Sequence, residues 1–371
     1  MCGYFVFWGL DSMNKRFISV GAALLVGLSL LTGCGNLMNP SGAVSSETAA
    51  TLGPYANNTV GVCIYQLNDN FMSLFCDELV GYLVSKGFSE ENIKVYNSAN
   101  NQSVQLSQVE ELISRDVDVM IVNPVNSAIC STITQMAVDS ETPLVYINRE
   151  PGADEESKWE DYDLNVTYVG CDARQSGIYQ GELLQTLGED VLDINKDGRI
   201  QYFMIEGAPE NIDAEYRTMY SLSTLKNSGF IMDCLLDEVG NWDMSTAKLI
   251  TAKGLSEGLM PEVVIANNDA MALGAISALS DAGLKPGSDV FVVGVDALSE
   301  AIDKISAGEM VGTVFNDYIS QSHYAADAAI KYLSGEKNEH YIGCEYIKVD
   351  SSNADTILSL VQGNSTRLSE K

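Results

Sequence analysis

Residues 60–86 read Val60-Gly61-Val62-Cys63-Ile64-Tyr65-Gln66-Leu67-Asn68-Asp69-Asn70-Phe71-Met72 and continue SLFCDELVGYLVSK to Lys86. An apolar run of strand length, Val60–Tyr65, passes through a polar turn into an amphipathic stretch of helix length, Ser73–Lys86. The alternation recurs at Val119–Val122 followed by Ala128–Asp139, and Leu144–Ile147 closes the series. A second series places strands at Tyr202–Ile205, Ile231–Leu236, Val263–Ala266 and Phe291–Val295. Its helices are expected near Ala173–Leu187, Ala214–Asn227, Thr246–Glu257 and Ala270–Asp281. Strands separated by crossover helices build parallel sheets, and two such series fit two α/β lobes better than one.

Composition bounds the function. The 371 residues carry 21 Lys plus Arg against 51 Asp plus Glu, a net charge of -30. A surface that acidic repels phosphate backbones, so nucleic-acid binding is excluded. With 46% hydrophobic residues and 8 Pro, the chain is globular and long enough for two cores. Two His, 8 Cys and no CxxC or HxxxH spacing exclude a zinc site.

Lys15 and Arg16 precede an uncharged run, Phe17 to Leu31, that ends in Leu31-Thr32-Gly33-Cys34. The run is shorter than the roughly 20 residues a spanning helix needs, and it reads as a signal peptide over 1–33 with its start at Met13. The Leu-x-Gly-Cys ending resembles the bacterial lipobox, which implies lipidation of Cys34 and a polar linker over 34–58; an ordinary secretory signal is the alternative. The cysteines at 63, 76, 130, 171, 234 and 344 lie largely within apolar runs and are expected to be buried free thiols. Export also permits disulfides, which spacing alone cannot pair.

In open α/β sheets ligands sit beyond the carboxyl ends of the strands. Those positions hold Asn68-Asp69-Asn70-Phe71, Asn148-Arg149-Glu150, Asn267-Asn268-Asp269, Asp296 and, after Gly312–Phe315, Asn316-Asp317. Planar amides, carboxylates and a guanidinium can bond neutral hydroxyls in pairs, while an aromatic face covers the C–H side of a ring. That is the chemistry of holding a sugar. Asn and Asp after a strand are equally the usual helix N-caps, and any single one reads as a cap. Catalytic signals are weak. Gly254-Leu255-Ser256-Glu257-Gly258 matches a nucleophile elbow but ends a helical stretch with no strand leading into it. His323 and His340 follow no core strand and are expected on the surface.

Asp193-Ile194-Asn195-Lys196-Asp197-Gly198-Arg199-Ile200-Gln201 sets oxygen side chains at loop positions 1, 3, 5 and 9, the Arg199 carbonyl at 7 and glycine at 6, a spacing suited to Ca²⁺. The twelfth position is Met204, so an acid from elsewhere must complete the shell. A plain polar turn is the alternative.

Taken together, Ile64–Ser73, Asp193–Gln201, Asp213-Ala214-Glu215-Tyr216-Arg217, Val264–Met271, Gly294–Leu298 and Gly312–Asp317 resemble the galactose/glucose-binding proteins of bacterial ABC sugar uptake. The resemblance runs from Thr59 to about Asp355. It implies a type I periplasmic binding fold, two lobes joined by three hinge strands near Gly170, Asn316–Tyr318 and Gly343. The N-terminal lobe would hold 59–170 and 317–343, and the C-terminal lobe 171–316 and 344–371. By the same resemblance, Phe71 and Trp242 sandwich a pyranose. Asp69, Asn148, Asp213, Arg217, Asn268, Asp296 and Asn316 bond its hydroxyls, and Glu262 completes the calcium shell. Asn211 is expected to bind the sugar as well, in the place where those proteins carry histidine, and Arg149 stands where lysine is usual, which leaves the preferred sugar open.

The function so implied is that of a non-enzymatic, extracytoplasmic, lipid-anchored monomer that closes on a monosaccharide and delivers it to an ABC permease. A sensor of the same fold feeding a chemoreceptor or histidine kinase would share the pocket, and a sugar-active hydrolase would differ by turning its ligand over.

Overall fold

Residues 53–369 are described by the computed structural model. The signal peptide, the Met13 start, Cys34 and most of the polar linker lie outside the described residues. The first lobe begins β1(Val60–Ile64), α1(Asn70–Ser85), β2(Ile93–Asn97), α2(Gln102–Ser114), β3(Val119–Val122), α3(Cys130–Asp139), β4(Leu144–Ile147), α4(Ala153–Asp161) and β5(Val166–Cys171). The second follows with α5(Ala173–Gln185), the short α6(Glu189–Leu192), β6(Ile200–Glu206), α7(Ile212–Asn227), β7(Met232–Val239), α8(Met244–Ser256), β8(Val263–Ala266), α9(Asp269–Asp281), β9(Phe291–Val293), α10(Ser299–Ser306) and β10(Thr313–Phe315). The chain then returns through α11(Tyr318–Leu333) and β11(Tyr341–Cys344), and ends with β12(Ile347–Val349) and α12(Ala354–Ser369).

The first sheet has the order β11-β5-β4-β3-β1-β2 and the second β7-β6-β8-β9, every pairing parallel. Both reverse direction of growth at their first strand, which puts a switch point at the carboxyl end of β1 and of β6. β1, β3, β4 and β5 are buried along their whole length because helices cover both faces. This is the expected α/β class with two parallel-sheet lobes.

Three segments pass between the lobes. β5 ends at Cys171 and leads into α5, β10 ends at Phe315 and leads into α11, and β11 ends at Cys344 and leads into β12, which pairs antiparallel with β10. The final helix lies against α10 and also reaches α1. β2 and α2 fill a stretch where the sequence reading placed no element. β2 is an edge strand with only Ile93 buried, and α2 buries only Gln105, Val109 and Leu112, so neither carries a strong apolar period.

Candidate functional site

The switch points face one another across a cavity lined by Tyr65, Asp69, Phe71, Met72, Asn148, Arg149, Asn211, Asp213, Arg217, Trp242, Asn268, Asp296 and Asn316. All ten residues expected to bind substrate thus come together. Tyr65 and Met72 were missed as liners: Tyr65 reads as the last residue of a buried strand, and Met72 falls just before the expected Ser73–Lys86 helix. Arg149 was noted but not assigned to the site.

Several of the polar liners also cap helices. Asp69 Oδ1 accepts from Met72 N at 2.9 Å, Asn211 Oδ1 from Asp213 N at 2.8 Å, and Asn268 Oδ1 from Met271 N at 3.0 Å. The cap and the binding readings of these residues are therefore not exclusive: a side chain that closes a helix N-terminus beyond a strand necessarily stands at the mouth of the crevice. Asn211 has spent its carbonyl oxygen on the cap and keeps its amide NH₂ for a ligand.

Three liners that are not caps sit in the left-handed backbone region: Asn148 at φ 62, Trp242 at φ 65 and Asp296 at φ 116. Such conformations persist only where surroundings impose them, and they concentrate at binding sites. For Asn148 the restraints are visible, since Tyr168 Oη donates to its carbonyl at 2.8 Å and Asn123 Nδ2 to its Oδ1 at 3.3 Å. Trp242 rests on the backbone of Gly207, whose amide donates to Asn267 Oδ1 at 2.8 Å. Arg149 folds under the cavity floor, its guanidinium 3.5 Å from the Tyr65 ring centroid and bonded to the carbonyls of Pro124 and Val125. The Tyr65 hydroxyl in turn donates to Asp69.

Charge is concentrated and dry. Arg217 is 3% exposed and donates to the Asn267 carbonyl at 2.8 Å and to Tyr346 Oη at 3.2 Å. Burial raises the Asp296 carboxyl to about 7, with Arg217 opposing and Asp69 adding to the rise, while Asn316 Nδ2 donates to it at 3.2 Å. Burial also raises Asp213, against the pull of Arg217 and Arg149. Asp213 Oδ1, Arg217 Nε and Trp242 Nε1 are buried without a hydrogen-bond partner among the described residues. Buried polar atoms are almost always satisfied, so two donors and one acceptor left open on one cavity wall mark a surface shaped for a polar ligand.

The catalytic alternatives find no geometry. Ser256 ends α8, and Gly258 at φ 85 turns the chain out of the helix. His323 and His340 are partly exposed, each held by a partner: His323 bonds Glu78 and stacks on Tyr82 at 3.8 Å, and His340 Nδ1 meets the Val166 carbonyl at 2.7 Å. None of these residues lines the cavity.

The Asp193–Gln201 loop follows α6 away from the cavity. Gly198 takes φ 82, as position 6 of such a loop requires, and its amide donates to Asp193 Oδ2 at 2.9 Å. Glu262, immediately before β8, accepts from Asn195 N at 2.9 Å and Gln201 N at 3.0 Å. Asn195 Nδ2 donates to Gln201 Oε1 at 2.7 Å, Gln201 Nε2 to Asp197 Oδ2 at 3.0 Å, and Arg199 N to Asp197 Oδ1 at 2.9 Å. Asp193, Asn195, Asp197, Arg199, Gln201 and Glu262 are thus adjacent, although among the described residues no three or more His, Cys, Asp or Glu are drawn together as a metal would hold them. The donor set suits a hard cation: the side-chain acceptors are all oxygens, and the buried carboxylates of Asp193 and Glu262 have no Lys or Arg partner among the described residues.

Of the six described cysteines, all unpaired, Cys63, Cys76, Cys130 and Cys171 are buried as expected; Cys234 is exposed and Cys344 half-buried. Among the described residues no helix is long and apolar enough to cross a membrane.

The periplasmic binding protein domain matches residues 60–337. The D-galactose/methyl-galactoside binding periplasmic protein of Haemophilus influenzae is 35% identical over 316 residues, 82% of this chain and 92% of that protein. A putative rhizopine-binding protein of Rhizobium meliloti is 29% identical over 299 residues, 80% and 91% of the two chains. The solved structure of an ABC transporter solute binding protein from Bacillus halodurans with bound myo-inositol matches with a TM-score of 0.71 and 26% identity, covering 84% of this chain and 99% of that one.

Proposed function

This chain belongs to the periplasmic binding protein family, and on that premise we propose that its cavity takes a neutral monosaccharide of the glucose or galactose type for delivery to an ABC permease. The observation that carries the reading is the trio of open polar atoms on Asp213, Arg217 and Trp242. A sugar hydroxyl both donates and accepts, so one ring can meet two donors and an acceptor that no protein group satisfies. Phe71 from the first lobe and Trp242 from the second would cover its apolar faces.

Delivery works through a two-state cycle. A ligand touching both lobes makes contacts in the closed form that the open form lacks, and only that difference shifts the population toward closure. Hydrogen bonds to charged groups contribute about 1.5–3 kcal/mol each, against the roughly 8 kcal/mol of micromolar affinity. Asp69, Asp213, Arg217 and Asp296 supply enough such bonds even after ordering costs. The relatives are solute-binding proteins rather than enzymes, and the hydrolase alternative is set aside.

Two further parts complete the reading. Ca²⁺ would be held by the Asp193–Gln201 loop and Glu262, where it would balance buried carboxylates and fasten β6 to β8. Cys34 would carry the lipid that keeps the exported protein at the membrane beside the permease.

A thermal-shift screen of hexoses, pentoses and inositols, followed by calorimetry on the best, tests the assignment. A sugar that raises the melting temperature and binds with micromolar affinity or better is the expected result. A panel in which no monosaccharide shifts the melt would overturn it.

A further inference from the structure

β5 and β11 are neighbours in the first sheet, and their last residues, Cys171 and Cys344, are register partners in a parallel ladder. Directly paired residues of adjacent strands point to the same face, at an interstrand spacing of about 4.8 Å that falls inside the Cα separation a disulfide spans. Both thiols leave the first sheet and pack into the hydrophobic core of the second lobe, among Leu183, Val314 and Tyr346. Burial holds the Cys171 thiol well above its ordinary range, and the neighbouring Cys344 thiol adds to the rise. Cys171 is 3% exposed, whereas Cys344 is half-buried.

Each cysteine ends the strand on which its chain leaves the first lobe. Asp172 then opens α5, and Glu345 opens the path to β12. The segment after Cys344 is already fastened beyond the crossing, because Tyr346 N donates to Gln175 Oε1 at 2.8 Å and Gln175 Nε2 to Glu345 Oε2 at 2.6 Å. Tyr346 is also the phenol that accepts from the cavity residue Arg217. The pair therefore stands where a covalent link would join two of the three interlobe passages at the line about which they must bend.

We propose that Cys171 and Cys344 form a disulfide site across the hinge, closed by exchange with a disulfide of the glutathione or thioredoxin-fold class. The Cys344 thiolate attacks one sulfur of the donor, making a mixed disulfide and releasing the first donor thiol. Cys171, on losing its proton, then attacks the Cys344 sulfur and expels the second donor thiol. Two protein thiols become one disulfide while one donor disulfide becomes two thiols, so electrons and protons balance. The closed bond spans 173 positions of chain, including nearly all of the second lobe, which gives it a large effect on the unfolded state and ties the two passages together in the folded one.

The test is peptide mapping of the purified full chain, without reductant, after incubation with glutathione disulfide. The expected product is a cross-linked peptide pair holding Cys171 and Cys344, reversed by dithiothreitol, with a melting temperature raised by several degrees, on the order of 5 °C. Cys344→Ser, at the half-buried position, should abolish both effects even if Cys171→Ser does not fold. A lone glutathione adduct on Cys344, no reaction, a bridge between other cysteines, or the right bridge with an unmoved melt would each overturn the proposal. Bond mapping reads the same whatever ligand the cavity takes, so its failure is separable from failure of the sugar assignment.

Discussion

Replacing Gly207 by alanine tests what seats the Trp242 ring. A Cβ at position 207 would fall 2.1 Å from Cζ2, 2.2 Å from Cη2 and 2.5 Å from Cε2 of the indole. Carbon atoms in contact sit roughly 3.5–4.0 Å apart, so the ring has to withdraw by about 1.5 Å. The backbone cannot share that movement easily. Trp242 already occupies a left-handed conformation, and the Gly207 amide is bonded to Asn267. The indole must swing into the cavity or off its floor. Displacement of a positioned group by about 1 Å can cost on the order of a hundredfold. For one ring wall, a loss of at least about tenfold in sugar affinity is expected, about 1.4 kcal/mol. Overpacking should lower stability by about 1–3 kcal/mol without unfolding the protein. Calorimetry with the best sugar of the screen measures the first and a melting curve the second. Trp242→Phe removes the ring atoms that clash, so G207A combined with W242F should bind no worse than W242F alone. An affinity for G207A within about twofold of the parent, with tryptophan emission unchanged, would refute the argument that Gly207 sets the ring.

Proton linkage offers a second check. Burial holds the Asp296 carboxyl at about 7, well above its ordinary value, so the folded protein retains a proton there that the unfolded chain gives up at lower pH. The ligand-free form therefore loses stability as pH rises through that window. A hydroxyl donating to Asp296 favours the carboxylate, so sugar binding should release a proton near neutrality and tighten between about pH 5.5 and 7.5. Calorimetry in two buffers of different ionisation heat measures the release; none near pH 6.5, or a release undiminished in Asp296→Asn, would count against it. For the loop, EDTA or Asp193→Ala should lower the melting temperature by several degrees and leave sugar preference unchanged. A melt indifferent to both would remove Ca²⁺ from the account. Arg149→Met leaves the buried carbonyls of Pro124 and Val125 without their guanidinium donor and should cost about 1–3 kcal/mol of stability by denaturant unfolding; an unaltered midpoint would show that the arginine does not brace the floor.

What could be read from the sequence follows burial. β1, β3, β4 and β8 are covered on both faces, so each is a continuous apolar run visible without a structure. β2 escaped because an edge strand needs only Ile93 inside, and α2 because three buried positions leave little period. The polar site was legible because topology sends ligands beyond strand ends, where Asp69, Asn148, Asn268 and Asp296 stand. Tyr65 was hidden by its position at the end of a core strand. The partners that hold His323 and His340, namely Glu78, Tyr82 and the Val166 carbonyl, are far away in sequence and leave no local signal. The Cys171–Cys344 pairing depends on the register of strands separated by an entire lobe, which no local pattern encodes.

The doubling of Asp69, Asn211 and Asn268 as helix caps constrains how such a protein can change its diet. A lineage that alters one of them to suit a new nutrient also frays the first turn of α1, α7 or α9, an expense of about 1 kcal/mol before any benefit in uptake. Asn148, Trp242 and Asn316 close no helix, whereas Arg149 braces the carbonyls of Pro124 and Val125. Diversification among descendants should therefore accumulate at the first three positions, and libraries built to retune selectivity would do well to begin there.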